Sequence, residues 1–453
     1  MSALKGLSNK IKSSDWLRSG FSVALGKSVV IVANFLIFYI LVRICNEEQY
    51  GVWILFTTIY TIFEIAGNSF LNNAIIKYYN DYKDSQSGVF VFNALVFCLF
   101  LTAVVSGVLI ASIYFINNIY HSPTLSTLLW IAPLPLLLSS LINFGNCIEQ
   151  ANMKFNGQLI SSVIRSALFI LYLGYLIAFH KPVALLNFVL VQVFTGIVAL
   201  LIIYYITRNH LRIKFRTDFS IMKNIARYGF FTFGVEVIGQ VSNNIGQLIS
   251  GALLSPAAVG IVNVANRVLQ LIEIPLQSIA MVLLPKGVST LNKEGLPGIK
   301  ALYEKSSAII VSVMLPFLLM LFIFSDQVVY LIAGDKFMQA SLLLKIIVVY
   351  SIIKPFGRNA GVILNAVGKT QINFLMVLIP TAINLGLNYL LIKEWGVVGA
   401  PIATLIATVV GFAFNQVVLS KLANVELRNI ATQIVSFYRN GANLLLVKAK
   451  SRG

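Results

Sequence analysis

GFSVALGKSVVIVAN (Gly20–Asn34) and GFFTFGVEVIGQVSN (Gly229–Asn243) match without gaps. Slid so that Gly20 falls on Gly229, the two halves of the chain also bring Gly51 onto Gly260, Glu64 onto Glu273 and Asn68 onto the related Gln277. A small slip in register then matches Asn146 to Asn359, Asn152 to Asn365 and Gln158 to Gln371. The matched positions include polar residues inside apolar runs, where hydrocarbon makes them costly and where they mark a transport pathway. Internal repeats of this size are the architecture of secondary transporters, with the site at the repeat interface.

Composition agrees. The chain is 58% hydrophobic and 11% charged over 453 residues, with a mean hydropathy of +0.85, far from a soluble balance. Apolar runs long enough to cross the roughly 30 Å hydrocarbon layer recur along it. The first, Gly20–Ile44, reads as a span and not as a cleavable signal. Spans are expected at 20–44, 52–76, 88–116, 125–148, 158–179 and 183–206, and again at 229–252, 257–284, 306–333, 340–365, 371–392 and 397–420. The fold class is therefore all-α and polytopic, with about 12 transmembrane helices in two pseudo-symmetric six-helix lobes related as a parallel repeat. The expected domains are a cytoplasmic segment 1–19, an N-lobe 20–206, a basic linker 207–228, a C-lobe 229–420 and an amphipathic cytoplasmic tail 421–453.

Charge sets the orientation. Most of the 34 Lys and Arg residues fall in segments on one side of this scheme, including Arg208, Arg212, Lys214, Arg216, Lys223 and Arg227 of the linker. Only Arg43, Lys181, Lys336 and Lys393 fall on the other side. Positive residues stay inside, so both termini are expected in the cytoplasm of a multi-pass cytoplasmic-membrane protein. The net charge of +18 then reflects topology and attraction to membrane lipids, with no nucleic-acid partner. The tail from Lys421 onward mixes apolar and basic residues, as an interfacial helix does.

Basic residues inside the spans are the first site candidates. Lys27, Arg267, Lys354 and Arg358 lie deep and form the expected cationic, substrate-binding cavity. Lys354 and Arg358 stand one turn apart on one helix face, a repulsion that needs water or an anionic ligand. Arg165 and Lys345 read as snorkelling residues near helix ends. Acids at depth are Glu64, Glu236 and Glu273, candidates for coupling to a proton or sodium ion, with Asp326 nearer an end. Lys27 is opposite Glu236 in the repeat; the two form an ion pair or are hydrogen-bonded separately within each lobe. Asn34, Asn68, Gln240, Asn243, Gln270 and Gln277 fall on polar stripes of a wet lumen. One such stripe is Tyr60, Glu64, Asn68 and Asn72.

Other chemistry is excluded. Gly368-Lys369-Thr370 resembles the end of a phosphate loop, but Ile363 stands where that loop needs glycine. The three cysteines, Cys45, Cys98 and Cys147, have no metal-ligand spacing, and His121, His180 and His210 are scattered. No catalytic residues, metal or cofactor are expected, and the chain does not read as an enzyme.

Val42-Arg43-Ile44, then Asn46-Glu47-Glu48-Gln49-Tyr50-Gly51-Val52-Trp53, resemble the start of bacterial polysaccharide flippases. Asn365-Ala366-Val367-Gly368-Lys369-Thr370-Gln371 is similar to that family's segment after the tenth helix. The family carries lipid-linked O-antigen or capsule repeat units and belongs to the multidrug/oligosaccharidyl-lipid/polysaccharide exporter superfamily. The resemblance implies a V-shaped pair of bundles that alternates access, with a cationic cavity for a pyrophosphate–sugar headgroup and polysaccharide polymerases as partners. The expected function is a flippase for undecaprenyl-pyrophosphate-linked oligosaccharide in lipopolysaccharide or other surface polysaccharide assembly. A multidrug/cation antiporter of the same fold is the alternative, and a membrane polysaccharide polymerase a weaker one. An antiporter calls for an acid-dominated cavity, and a polymerase for a sizeable external loop with catalytic residues. Reporter fusions are expected to place Asn117, His180 and Lys393 outside and Arg212 inside; a periplasmic reporter active at Arg212 overturns the two-lobe scheme.

Overall fold

Glycines, prolines and side-chain caps cut the chain into helices joined by short turns. The computed structural model describes residues 15–82, 87–152, 154, 156–209, 211 and 213–450. Within these, the side chains of 15–28, 73, 80, 228, 231, 232, 235, 271–282, 284, 285, 288, 370 and 441–450 fall outside the described residues. The chain divides into two compact units, Met1–Asn244 and Ile245–Gly453, a boundary inside a helix that the sequence assigns to the second lobe.

In the first unit α1 is Asp15–Ile44, α2 Glu47–Asp81, α3 Ser87–Tyr120, α4 Pro123–Ile131, α5 Pro133–Ala151, α6 Asn156–Ala178 and α7 Leu185–Thr207. Helix α8, Phe219–Leu253, carries the boundary. In the second unit α9 is Pro256–Ile323, α10 Ser325–Ala333, α11 Gln339–Ser351, α12 Lys354–Ala366, α13 Thr370–Trp395, α14 Gly399–Ala423 and α15 Leu427–Lys450. The described chain is all-α, without strands. Six stretches are long and apolar enough to cross a membrane, and two bent helix pairs bring the number to eight.

The structure departs from single continuous spans at both bent pairs. The expected span 125–148 is α4 and α5, bent by 43°. Its break falls at Ala132, just before Pro133, whose missing N–H cannot continue the ladder. The expected span 340–365 is α11 and α12, bent by 42°, with Pro355 in the first turn of α12. Gly295, at φ 65° and ψ −154°, interrupts α9. It stands in the left-handed half of the map that glycine tolerates, and Pro297 follows as the next helical stretch begins.

The two motifs that carry the family resemblance are structural. Asn46 and Gln49 form a reciprocal capping box at the start of α2. The Gln49 N–H donates to Asn46 Oδ1 at 2.7 Å, and the Asn46 N–H to Gln49 Oε1 at 3.2 Å. One turn on, Trp53 is buried and lies against Phe56, Phe169 and Phe188, ring centroids 5.2–6.3 Å apart, which locks α2 to α6 and α7. Gly368-Lys369-Thr370 is the turn that ends α12. Gly368 takes φ 80°, and the Lys369 N–H closes back on the Leu364 carbonyl at 2.8 Å.

Helix α15 is held to α9 by charge and by apolar contact. The buried Glu304 carboxylate accepts the Glu426 N–H at 3.0 Å and Asn429 Nδ2 at 3.3 Å, which satisfies donors at the start of α15. Lys300 pairs with Glu426 at 2.9 Å. Ile430 is buried in a core with Tyr303, Phe356 and Leu419. The tail helix therefore begins six residues later than expected, because α14 runs on to Ala423 and Asn424 turns the chain at φ 53°.

Candidate functional site

The stripe Tyr60, Glu64, Asn68 and Asn72 on α2 meets a second stripe at the same spacing on α5: Pro135, Ser139, Asn143 and Cys147. Tyr60 donates its hydroxyl proton to the Pro135 carbonyl at 3.2 Å. Ser139 donates to Glu64. Asn143 Nδ2 donates to Asn72 Oδ1 at 2.5 Å, and Cys147 Sγ approaches the same oxygen at 3.5 Å. Partner numbers rise together, so α2 and α5 run in the same direction. Asn68, between these pairs, is 9% exposed, and its Oδ1 is buried without a partner.

Energetics separates glue from function here. An interhelical side-chain hydrogen bond in a membrane contributes about 0.6 kcal/mol on average. A carboxylate at mid-helix costs about 2.5–3.5 kcal/mol to insert as an ion. The Ser139 bond does not offset that, so stability alone does not account for Glu64. The charge near it is Arg165 of α6, whose field reaches both Glu64 and Tyr60. Arg165 sits well inside Asn156–Ala178 and is half-buried.

In the second unit the break before Pro355 makes Lys354 the first residue of α12. Lys354 and Arg358 are both exposed, one turn apart, and Lys354 Nζ stands over the Tyr350 ring at 5.3 Å. The preceding residue, Ile353, provides no side-chain cap. Two cations on the positive end of a helix dipole form a strongly electropositive end that favours an anion. Next to them Asn359 is fully buried, giving its Nδ2 to Ser306 and Ser307 at 3.4 and 3.1 Å. The Oδ1 of Asn359 is buried without a partner, and so is that of Asn146, its match in the first half.

The remaining expected residues are distributed as follows. Arg267 is half-buried and donates Nη1 to Gln270 Oε1 at 3.1 Å. Asn34, Glu236 and Asn243 are exposed, and Gln240, half-buried, accepts Asn244 Nδ2 at its backbone carbonyl. The side chains of Lys27, Glu273 and Gln277 lie outside the described residues, and with Lys27 the expected partner of Glu236. Lys345, read as snorkelling, pairs with Asp326 at 3.1 Å. Among the described residues no metal-binding cluster is formed.

Sequence reasoning missed Glu149, a buried acid at the end of α5. It accepts the Gly157 N–H at 2.8 Å and the Gln158 N–H at 3.3 Å, neutralising the N-terminus of α6. A Cβ on Gly157 would lie 2.6 Å from its carboxylate, so only glycine fits there. The signal was faint: an acid seven residues before an Asn-Gly pair.

The sequence profile of a family described as polysaccharide biosynthesis protein matches residues 40–342. The chain belongs to this family. A curated relative, the probable low-salt glycan biosynthesis flippase Agl15 of Haloferax volcanii, is 22% identical over 211 residues, 47% of this chain and 45% of that one. The match thus spans less than half of that relative. Among solved structures, the lipid II flippase MurJ in an inward closed conformation superposes with a TM-score of 0.75, at 14% identity over 92% of this chain and 90% of that one. An inward-facing multidrug resistance MATE family transporter of the MOP superfamily gives 0.72, at 17% identity over 87% and 95%. These structures show that the fold of this polysaccharide biosynthesis protein is that of MurJ and MATE transporters; its several long apolar helices make it a multi-pass membrane protein.

The electrostatic role of Arg165 is testable by a double-mutant cycle. Arg165→Gln alone is expected to lower the melting temperature of purified protein, because it strands a buried carboxylate. Adding Glu64→Gln is expected to recover it, with a coupling energy of about 0.5–3 kcal/mol. Additive losses would show that the two residues do not interact.

Proposed function

We propose that this protein is an alternating-access flippase for lipid-linked oligosaccharide repeat units, of the undecaprenyl-pyrophosphate type, in surface polysaccharide assembly. The observation that carries this reading is the uncapped N-terminus of α12, where Lys354 and Arg358 are exposed side by side. Pyrophosphate is a compact polyanion, and Lys and Arg grip its oxygens with charge-assisted bonds. Lys27 and Arg267 would complete the cationic cavity. Asn34, Asn68, Gln240, Asn243, Gln270 and Gln277 would hydrate or bind the sugars. A carrier of cationic drugs would be repelled by the same face. The glycan flippase named among the relatives supports the choice of cargo, and the role is transport, not catalysis.

In this reading the protein lies in the cytoplasmic membrane with both termini inside, in two six-helix lobes of about twelve spans. It hands its product to a polysaccharide polymerase. Glu64, with Glu236 and Glu273, would couple outward movement to an inward proton or sodium flux. A carboxylate with one neutral hydrogen-bond donor, Ser139, and within the field of one cation, Arg165, can exchange a proton for that cation's field as access alternates.

Losing two charge-assisted bonds, at about 1.5–3 kcal/mol each, is expected to weaken headgroup binding at least about a hundredfold. Lys354→Gln with Arg358→Gln should therefore abolish flipping of a fluorescent lipid-linked oligosaccharide in proteoliposomes, with the protein still folded and inserted. Flipping at the normal rate would overturn the assignment. Glu64→Gln is expected to retain headgroup binding yet lose stimulation by a pH gradient. Full gradient-driven flipping by a Glu64→Gln, Glu273→Gln protein would leave product consumption as the driving force.

A further inference from the structure

The stretch 214–218 just before α8 is held in place. Asn93 of α3 is fully buried, and both of its amide atoms hold this strap. Its Nδ2 donates to the Arg216 carbonyl at 2.8 Å, and its Oδ1 accepts the Asp218 N–H at 2.8 Å. The Lys214 N–H donates to the Gly88 carbonyl at 3.0 Å. Asp218 then caps α8: its Oδ1 accepts the N–H and Oγ of Ser220 at 2.9 and 2.6 Å, which hold its carboxyl below the usual range.

This anchored backbone presents two phenylalanines outward. Phe215 is 87% exposed and Phe219 81% exposed, although the Phe215 ring meets Phe92 edge-on at 5.3 Å. A ring on a pinned backbone cannot withdraw into the core, and leaving it in water forfeits the free energy of burying its apolar surface. The exposed cations Arg208, Lys214, Arg216 and Lys223 flank the pair in the sequence. Arg208 lies 4.3 Å from the centroid of the exposed Tyr205 ring. Asp218, the sole acid between Arg208 and Lys223, is already engaged by Ser220.

The strap directly follows Leu185–Thr207, a helix long and apolar enough to cross a membrane, and a helix that crosses would bring the strap to headgroup depth. Aromatic rings gather at that depth, and basic residues there meet lipid phosphates. We propose that the strap from Arg208 to Lys223 is an interfacial anchor for an anionic lipid surface. Phe215 and Phe219 enter the boundary between headgroups and acyl chains, and Arg208, Lys214, Arg216 and Lys223 bind the phosphates. The anchor ties the start of α8 to the membrane surface. It rests on the multi-pass membrane reading alone and is independent of what the protein carries.

Nitroxide labels on Phe215→Cys and Phe219→Cys test it, since all three native cysteines are buried. In full-length protein in phosphatidylcholine–phosphatidylglycerol vesicles, both labels are expected to collide more with oxygen than with a water-soluble nickel chelate. A label on Thr217→Cys, the exposed position between them, is the reference. Replacing the four cations with Gln, or omitting phosphatidylglycerol, is expected to shift both labels toward the chelate. Labels as chelate-accessible as the reference in anionic vesicles would overturn the anchor. Labels shielded from both reagents would show a protein surface or second copy covering the rings, and would overturn it equally.

Discussion

Hydrocarbon offers a polar side chain no water to fall back on, and this constraint organises the helices of the first unit. A polar side chain on the inward face of α2 is best satisfied by a partner on another helix, and the Oδ1 of Asn68 is the exception. The α5 stripe of Pro135, Ser139, Asn143 and Cys147 supplies partners at the same helical spacing, which fixes the direction and register of the pair. A slip by one turn toward the start of α5 would strand Glu64 beside Pro135, which has no proton to give. Trp53 at one end of α2 and the core of Leu71, Ile75 and Phe90 near the other carry the packing that holds this register.

The same constraint separates residues retained for stability from those retained in spite of it. Glu149 and Glu304 are buried acids wholly occupied by backbone or amide donors at helix starts. They act as caps. Glu64 has one hydroxyl donor and the field of Arg165, too little to fix its charge permanently. Lys354 and Arg358 are unlike both, crowded onto the positive end of a helix that Pro355 forces to begin mid-span. In the proposed reading these two sets are the ones a cargo or ion engages, and both lie on or beside broken or polar-striped spans.

The legible part of the site was its stripes. Spacing alone put Tyr60, Glu64, Asn68 and Asn72 on one face, and put Lys354 beside Arg358. The partners were illegible because they come from distant segments: Ser139 reaches Glu64, and Arg165 reaches it from a third helix. Lys345 looked like a lone cation near a helix end until the fold paired it with Asp326. Conversely, the strings that betrayed the family, around Asn46–Trp53 and Asn365–Gln371, turned out to be a capping box and a helix-ending turn. They preserve the scaffold, and say little of the cargo.

By itself the sequence determined the all-helical, membrane-crossing class, the repeat of one half in the other, and the faces on which polar residues gather. These follow from local rules: hydropathy over a span's length, helical periodicity, and the cost of a polar group in hydrocarbon. Tertiary structure decided where the spans break, which acids are caps and which are incompletely paired, and that the basic linker is a strap pinned by Asn93. Apart from the breaks at Pro133 and Pro355 and the local Glu149 cap, those outcomes depend on hydrogen bonds between segments tens to more than a hundred residues apart. A partner that far along the chain leaves no local pattern, and only packing chooses it.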